Sequence, residues 1–115
     1  MRSFARGFVH AARGLAHVLK NERNARVHLL VAIAVVVLSI VVGISIEATA
    51  AVVFSVTLVF FAEIVNSALE KTLDIVDPQH NPAVGVVKDM AAAGVLVTAI
   101  GAAAIGCLVF LPEIF

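Results

Sequence analysis

From Val27 to Ile46 the chain is apolar and uncharged for 20 residues, with His28 and two serines its only polar side chains. At 1.5 Å per residue such a helix is about 30 Å long, one hydrocarbon thickness. A second run, Met90 to Leu111, has 22 residues and no charge. Between them lies Ala48 to Ala62, 15 uncharged residues, short for a span. Continued through Glu63 to Val76, that helix is long enough to cross and protrude. Asp77-Pro78 then ends it, because proline cannot extend a helix and restricts the residue before it. The pattern therefore predicts membrane helices at 27–46, 48–76 and 90–111.

The N-terminal segment has a different rhythm. Phe4, Phe8, Ala11, Leu15 and Val18 recur at spacings of three and four, while Arg6, His10, Arg13, His17 and Lys20 fall on other faces. Residues 1–20 thus read as a basic amphipathic helix suited to the membrane interface. Asn21 to Asn24 is a polar break before the first span. The expected architecture is an all-α integral membrane protein, one domain over residues 1–115, with three transmembrane helices and an N-terminal surface helix.

Composition supports this class. The chain is 62% hydrophobic and 14% charged, against about 25% charged in soluble domains. No short apolar stretch near the start marks a cleavable signal peptide. The lone Cys107 excludes an internal disulfide and reads as a packing residue.

Net charge is zero, but its distribution is lopsided. With the N-terminus inside, the inner segments hold Arg2, Arg6, Arg13, Lys20, Arg23, Arg26, Lys71 and Lys88, every Lys and Arg in the protein. The outer loop holds only Glu47 and the tail only Glu113. The positive-inside rule therefore puts the N-terminus in the cytoplasm. Glu63 lies about 24 Å along a helix from Glu47, near the inner edge of the hydrocarbon. Glu22, Glu63, Asn66, Glu70, Asp74, Lys88 and Asp89 then share one cytoplasm-facing zone.

Within AEIVNSALEKTLDIV, residues 62–76, a helix turning about 100° per residue brings Glu63, Asn66, Glu70 and Asp74 into an arc of about 80°, with Ser67 at its border. Carboxylates near lipid cost several kcal/mol each unless paired, hydrated or protonated. A solvated helix end, neutralised by Lys88, Arg23 and Arg26, explains Asp74 and Asp77; it does not explain Glu63. Two carboxylates plus phosphate oxygens hold Mg²⁺, with Glu70 and Glu22 the candidates. Lys88 can neutralise phosphate charge. A carboxylate as deep as Glu63 can take a proton from a hydroxyl. These are parts of a phosphoryl transferase acting on a membrane-dissolved alcohol. There is no GxxxxGK[ST] loop, so metal and cationic side chains must position the phosphates. Two other classes fit less well. A proton- or cation-coupled transporter wants its carboxylate near the midplane, and a purely structural subunit leaves Glu63 unexplained.

At these residues the chain resembles the prokaryotic diacylglycerol kinase family of small membrane lipid kinases. EIVNSALE matches that family's Glu-x-x-Asn-[Ser/Thr]-Ala-x-Glu signature, and Asp74 and KDMAAAGVL match the rest. SFARGFVHAARGL, NERN followed by His28, HNP before the Lys-Asp pair, and FLPEIF are similar to the undecaprenol kinases of Gram-positive bacteria. The resemblance implies a homotrimer with active sites shared between subunits in a bacterial plasma membrane. It implies ATP and Mg²⁺, an inner-leaflet lipid alcohol as acceptor, and no nucleic acid. Undecaprenol is the expected acceptor and diacylglycerol the alternative.

It further implies Glu63 as general base and Glu70 and Glu22 as metal ligands with ATP. Nucleotide contacts would fall at Gln79, His80, Asn81, Lys88 and Asp89, with Asn66 supporting the site. AVGVV before Lys88 departs from the more polar segment of many relatives, as does Ala62 at its motif position. His10 and His17 read as interfacial residues, whereas His28 suits a substrate contact and a packing role equally. In the last span, Gly94, Thr98, Ala102 and Gly106 form a seam of small residues where helices can approach closely. Three thin helices enclose little volume, which also favours a homo-oligomer.

Overall fold

The computed structural model describes residues 2–79 and 81–115. Its described elements are four helices: α1 (Arg2–Asn21), α2 (Arg23–Val42), α3 (Ile46–Val76) and α4 (Pro82–Ile114). The last three are each long and apolar enough to cross a membrane. α2 is about 30 Å long, α3 about 46 Å and α4 about 50 Å. The excess length of α3 and α4 over one hydrocarbon thickness falls largely where they meet, around the turn at Asp77.

The boundaries differ from those read from hydropathy, and local chemistry explains each. α2 begins at Arg23, since only Glu22 breaks the chain between α1 and α2. It ends at Val42 rather than 46, because Gly43 adopts φ 77° and its N–H returns to the Ser39 carbonyl. That left-handed C-cap is one that glycine adopts without a Cβ penalty. α3 starts at Ile46 rather than 48, with Ser45 as N-cap: its hydroxyl accepts from the Ala48 N–H at 3.1 Å. α4 starts eight residues ahead of the third apolar run. Asn81 caps it by accepting from the Ala83 N–H at 2.9 Å, and Pro82 occupies the first helical position.

α3 is the central element. It packs along α4 and along α2, while α2 and α4 make no more than marginal contact with each other. Its buried side chains are Val52, Ser55, Val59, Glu63, Asn66 and Ser67. These recur at spacings of three and four, so one stripe of α3 is inward along its length. Two of the buried hydroxyls in this apolar setting are satisfied by the backbone of their own helices. Ser55 donates to the Val52 carbonyl and Ser39 to the Val35 carbonyl, each at 2.9 Å.

α1 touches the rest of the chain near its C-terminal end, where Val18 is buried. Phe4, Phe8 and Leu15 stay uncovered, with Phe4 and Phe8 edge to face at 5.1 Å. Within this chain the glycines of the small-residue seam of α4 leave space beside α3. A Cβ added at Gly94 or Gly106 would meet nothing within 4 Å. A repeat of four advances about 40° per step around a helix. Gly94 and Thr98 therefore face one flank of α3, and Ala102 and Gly106 the other.

Candidate active site

The acidic face of α3 points into the protein at Glu63 and Asn66 and emerges toward solvent at Asp74. Glu63 is 3% exposed and Asn66 8%. This face continues the stripe that buries Val52 and Val59, so the helical period that makes the apolar core also buries the carboxylate. The partner comes from α2. His28 Nε2 stands 3.7 Å from Glu63 Oε2, the imidazole being half-exposed. Glu70 and Glu22 both lie within electrostatic reach of Glu63.

Glu22 is brought there by the corner between α1 and α2. Its backbone is extended and its side chain makes no capping bond to α2. The corner is tied from both sides. Arg26 Nη1 donates to the Leu19 and Lys20 carbonyls at 2.9 and 3.0 Å, and Asn21 Nδ2 to the His17 carbonyl at 2.9 Å. These bonds satisfy carbonyls that the end of α1 leaves open. Ala25, fully buried, seats the corner against the bundle. The Glu22 carboxylate is thereby aimed at α3, where Lys71 Nζ approaches Oε1 to 3.8 Å.

Glu70 is half-buried one turn beyond Asn66. It accepts a hydrogen bond from Asn66 Nδ2 at 3.3 Å. Asn66 Oδ1 is buried without a partner. Unpartnered buried acceptors are costly and point to a cation or donor absent from the chain itself. Glu22, Glu63 and Glu70 thus share a region in which, among the described residues, Lys71 and His28 are the basic side chains paired with them. That oxygen-rich, under-neutralised set fits a hard divalent cation. Among the described residues, no group of three His, Cys, Asp or Glu side chains could hold a metal alone. Glu22 and Glu70 therefore suit an ion whose remaining ligands are phosphate oxygens and water.

Further along, Lys88 Nζ of α4 meets Asp74 Oδ1 of α3 at 2.5 Å. Asp89 beside it is exposed. Gln79 sits in the turn, its N–H donating to Asp77 Oδ1 at 3.0 Å. His80 lies outside the described residues. The side-chain oxygen of Asn81 is committed to the cap of α4, a structural role that the Asn-Pro pair signals and that hydropathy alone passes over.

The chain therefore brings Glu22, Glu63, Asn66 and Glu70 together, with Lys88 and Asp74 joined beyond them. Two partners had not been expected: His28 for Glu63 and Lys71 for Glu22. The pairing of Lys88 with Asp74 is the neutralised helix end that the sequence suggests for Asp74.

Comparison with known proteins adds to this geometry. The profile of the family described as prokaryotic diacylglycerol kinase matches residues 9–110. An undecaprenol kinase of Bacillus subtilis is 34% identical over 114 residues, covering 99% of this chain and 93% of the relative. A diacylglycerol kinase of Synechocystis sp. is 30% identical over 108 residues, covering 93% of this chain and 62% of the relative. The chain belongs to the prokaryotic diacylglycerol kinase family and is a lipid kinase of the membrane.

Proposed function

We propose that this kinase transfers the γ-phosphoryl group of ATP to undecaprenol, giving undecaprenyl phosphate at the cytoplasmic face of a bacterial plasma membrane. The observation that carries the reading is the buried Glu63 carboxylate at the inner end of an apolar bundle, paired with His28 and flanked by Glu22 and Glu70. The similarity to the Bacillus subtilis undecaprenol kinase extends over nearly the whole of both chains, which favours that acceptor. Diacylglycerol is the second acceptor to consider, on the similarity to the Synechocystis enzyme.

In this mechanism Glu63 accepts the hydroxyl proton as the lipid oxygen attacks the γ-phosphorus. The bond to the β,γ-bridging oxygen breaks, ADP departs, and the proton remains on Glu63. His28 orients the carboxylate. Glu22 and Glu70 would hold Mg²⁺, which when bound neutralises charge on the nucleotide phosphates. Asn66 fixes Glu70 through its amide. Lys88, presented by Asp74, offers its ammonium to phosphate. Gln79, His80, Asn81 and Asp89 border the nucleotide.

The basic side of α1 lies on the inner headgroups, and the positive-inside distribution puts the site on the ATP side. The active unit is a homotrimer, in keeping with three helices that leave most of their apolar side chains uncovered. The test is transfer from labelled ATP, with Mg²⁺, to undecaprenol or diacylglycerol in mixed micelles. Labelled undecaprenyl phosphate is expected; transfer to diacylglycerol alone would replace the acceptor, and transfer to neither would end the reading.

A further inference from the structure

The phosphoryl chemistry gives no part to Arg26, which immediately precedes the apolar run of α2. By itself its position is unfavourable. It stands in the first turn of α2, the end at which a helix dipole repels a cation. A long basic side chain beside an apolar span ordinarily snorkels to the headgroups. Here the guanidinium turns back over the corner instead. Nη1 donates to the Leu19 carbonyl at 2.9 Å and to the Lys20 carbonyl at 3.0 Å. Both carbonyls belong to the open C-terminal end of α1, where a positive charge is favoured.

These bonds reach across Glu22. That residue is the whole connection between α1 and α2, with extended backbone at φ −110° and ψ 111°. Its two dihedrals are the hinge of the corner, and Arg26 closes the hinge from both sides. The side chain holds the carbonyls two and three residues before Glu22, while the Arg26 N–H donates to the Glu22 carbonyl at 3.3 Å. The Glu22 N–H is itself spent on the Val18 carbonyl at 2.8 Å. Because the Glu22 side chain makes no capping bond to α2, its carboxylate is left to face α3, 3.8 Å from Lys71 Nζ.

We propose that Arg26 is the positioning residue of the metal-binding carboxylate: by clasping the end of α1 it presets Glu22 for the divalent ion, without touching ion, nucleotide or lipid. The inference rests on the reading of Glu22 as a Mg²⁺ ligand. A carboxylate on an unclasped one-residue hinge must be ordered at each binding event, and the ion is held less tightly by that cost. Mg²⁺ is sensitive to this, because it tolerates little departure from its preferred geometry.

The experiment uses the full-length protein in neutral maltoside micelles. It measures Mn²⁺ binding by electron paramagnetic resonance in the presence of an ATP analogue with a β,γ-imido bridge. Arg26→Met removes the donors and keeps the stem and the helix propensity. Affinity for Mn²⁺ should fall about tenfold, the scale on which groups that orient metal ligands act. Arg26→Gln, whose shorter amide reaches at most one of the two carbonyls, should also bind Mn²⁺ more weakly than the parent. It carries the test if the methionine variant does not fold.

The deciding measurement repeats the substitution in a Glu22→Gln background. There Arg26→Met should cost nothing further, since no carboxylate is left to position. Equal losses in both backgrounds overturn the proposal, because Arg26 then acts elsewhere. So does a lower thermal midpoint with Mn²⁺ affinity unchanged, which would make the clasp a structural tie alone. A headgroup anchor predicts the same unchanged affinity, as neutral micelles offer it no phosphate. Failure of the metal reading shows separately: Glu22→Gln then leaves Mn²⁺ affinity at the parent value, and the proposal falls with it.

Discussion

Lys88 of α4 and Asp74 of α3 form an ion pair across the turn that joins the two longest helices, their charged atoms 2.5 Å apart. The pair gives Asp74 a purpose that its place on the acidic face leaves open. It holds the Lys88 ammonium over α3, on the side of the molecule where Glu70 and Glu22 stand. Asp74 is well exposed, so the pair itself adds little to stability, about 0–1 kcal/mol. Its value lies in position. Asp74→Asn should therefore leave thermal stability nearly unchanged and raise the KM for Mg-ATP severalfold, with kcat less affected. Steady-state kinetics with the lipid saturating checks this. An unaltered KM for ATP would leave the pair as a helix tie.

The deep carboxylate has a sharper signature. Glu63→Gln keeps the shape and the hydrogen-bonding capacity of the side chain but removes the proton acceptor. General bases contribute about 10²–10⁴ in rate. Transfer should fall by at least the lower bound, while binding of Mg-ATP, measured calorimetrically, stays intact. A variant retaining wild-type turnover would remove Glu63 from the chemistry. The complementary variant, Glu70→Gln, should weaken Mg-ATP binding instead, because it alters the carboxylate that Asn66 holds.

Part of the arrangement was legible in the residues. A period of 3.6 puts Glu63, Asn66, Glu70 and Asp74 on one face from spacing alone. The helix ends were legible only to a different signal. Hydropathy marks where residues are apolar, and α4 begins in a polar segment that it cannot register; Asn81-Pro82, a cap followed by a proline, marks the start. Gly43 likewise ends α2 inside an apolar run. Lys88 as a counter-charge for Asp74 was legible, but the contacts of His28 with Glu63 and of Lys71 with Glu22 were not, because each joins helices whose mutual approach the sequence does not state. Lys71 reaches Glu22 only because the α1–α2 corner folds that residue toward α3. Small residues along α4 show where a neighbour can come close, not that one does.

Asn81 offers a test that separates capping from ligand contact. Its side-chain oxygen serves the first turn of α4. Asn81→Ala should cost about 1 kcal/mol and lower the midpoint of thermal unfolding. Asn81→Ser preserves a capping oxygen and should recover most of that loss. If the remaining amide group also meets nucleotide, the serine variant will be stable yet show a raised KM for ATP. A serine variant with both stability and KM restored confines Asn81 to the cap.

If Glu22 holds Mg²⁺ as proposed, Lys71 and the metal would compete for one carboxylate. The Lys71 ammonium lies 3.8 Å from Glu22 Oε1 and is half-exposed, so the contact is weak and screened. A divalent ion bound at Glu22 must displace or share that ammonium, and the like charges repel. Lys71→Met removes the competitor and keeps the aliphatic stem. Thermal stability should change by less than about 1 kcal/mol. The Mg²⁺ concentration for half-maximal activity should fall, and the gain should shrink as ionic strength rises, because salt already screens the ammonium in the parent enzyme. The opposite sign, a higher Mg²⁺ requirement in Lys71→Met, would mean that Lys71 positions Glu22 for the ion rather than contesting it. Titration of activity against Mg²⁺ at two salt concentrations distinguishes the two.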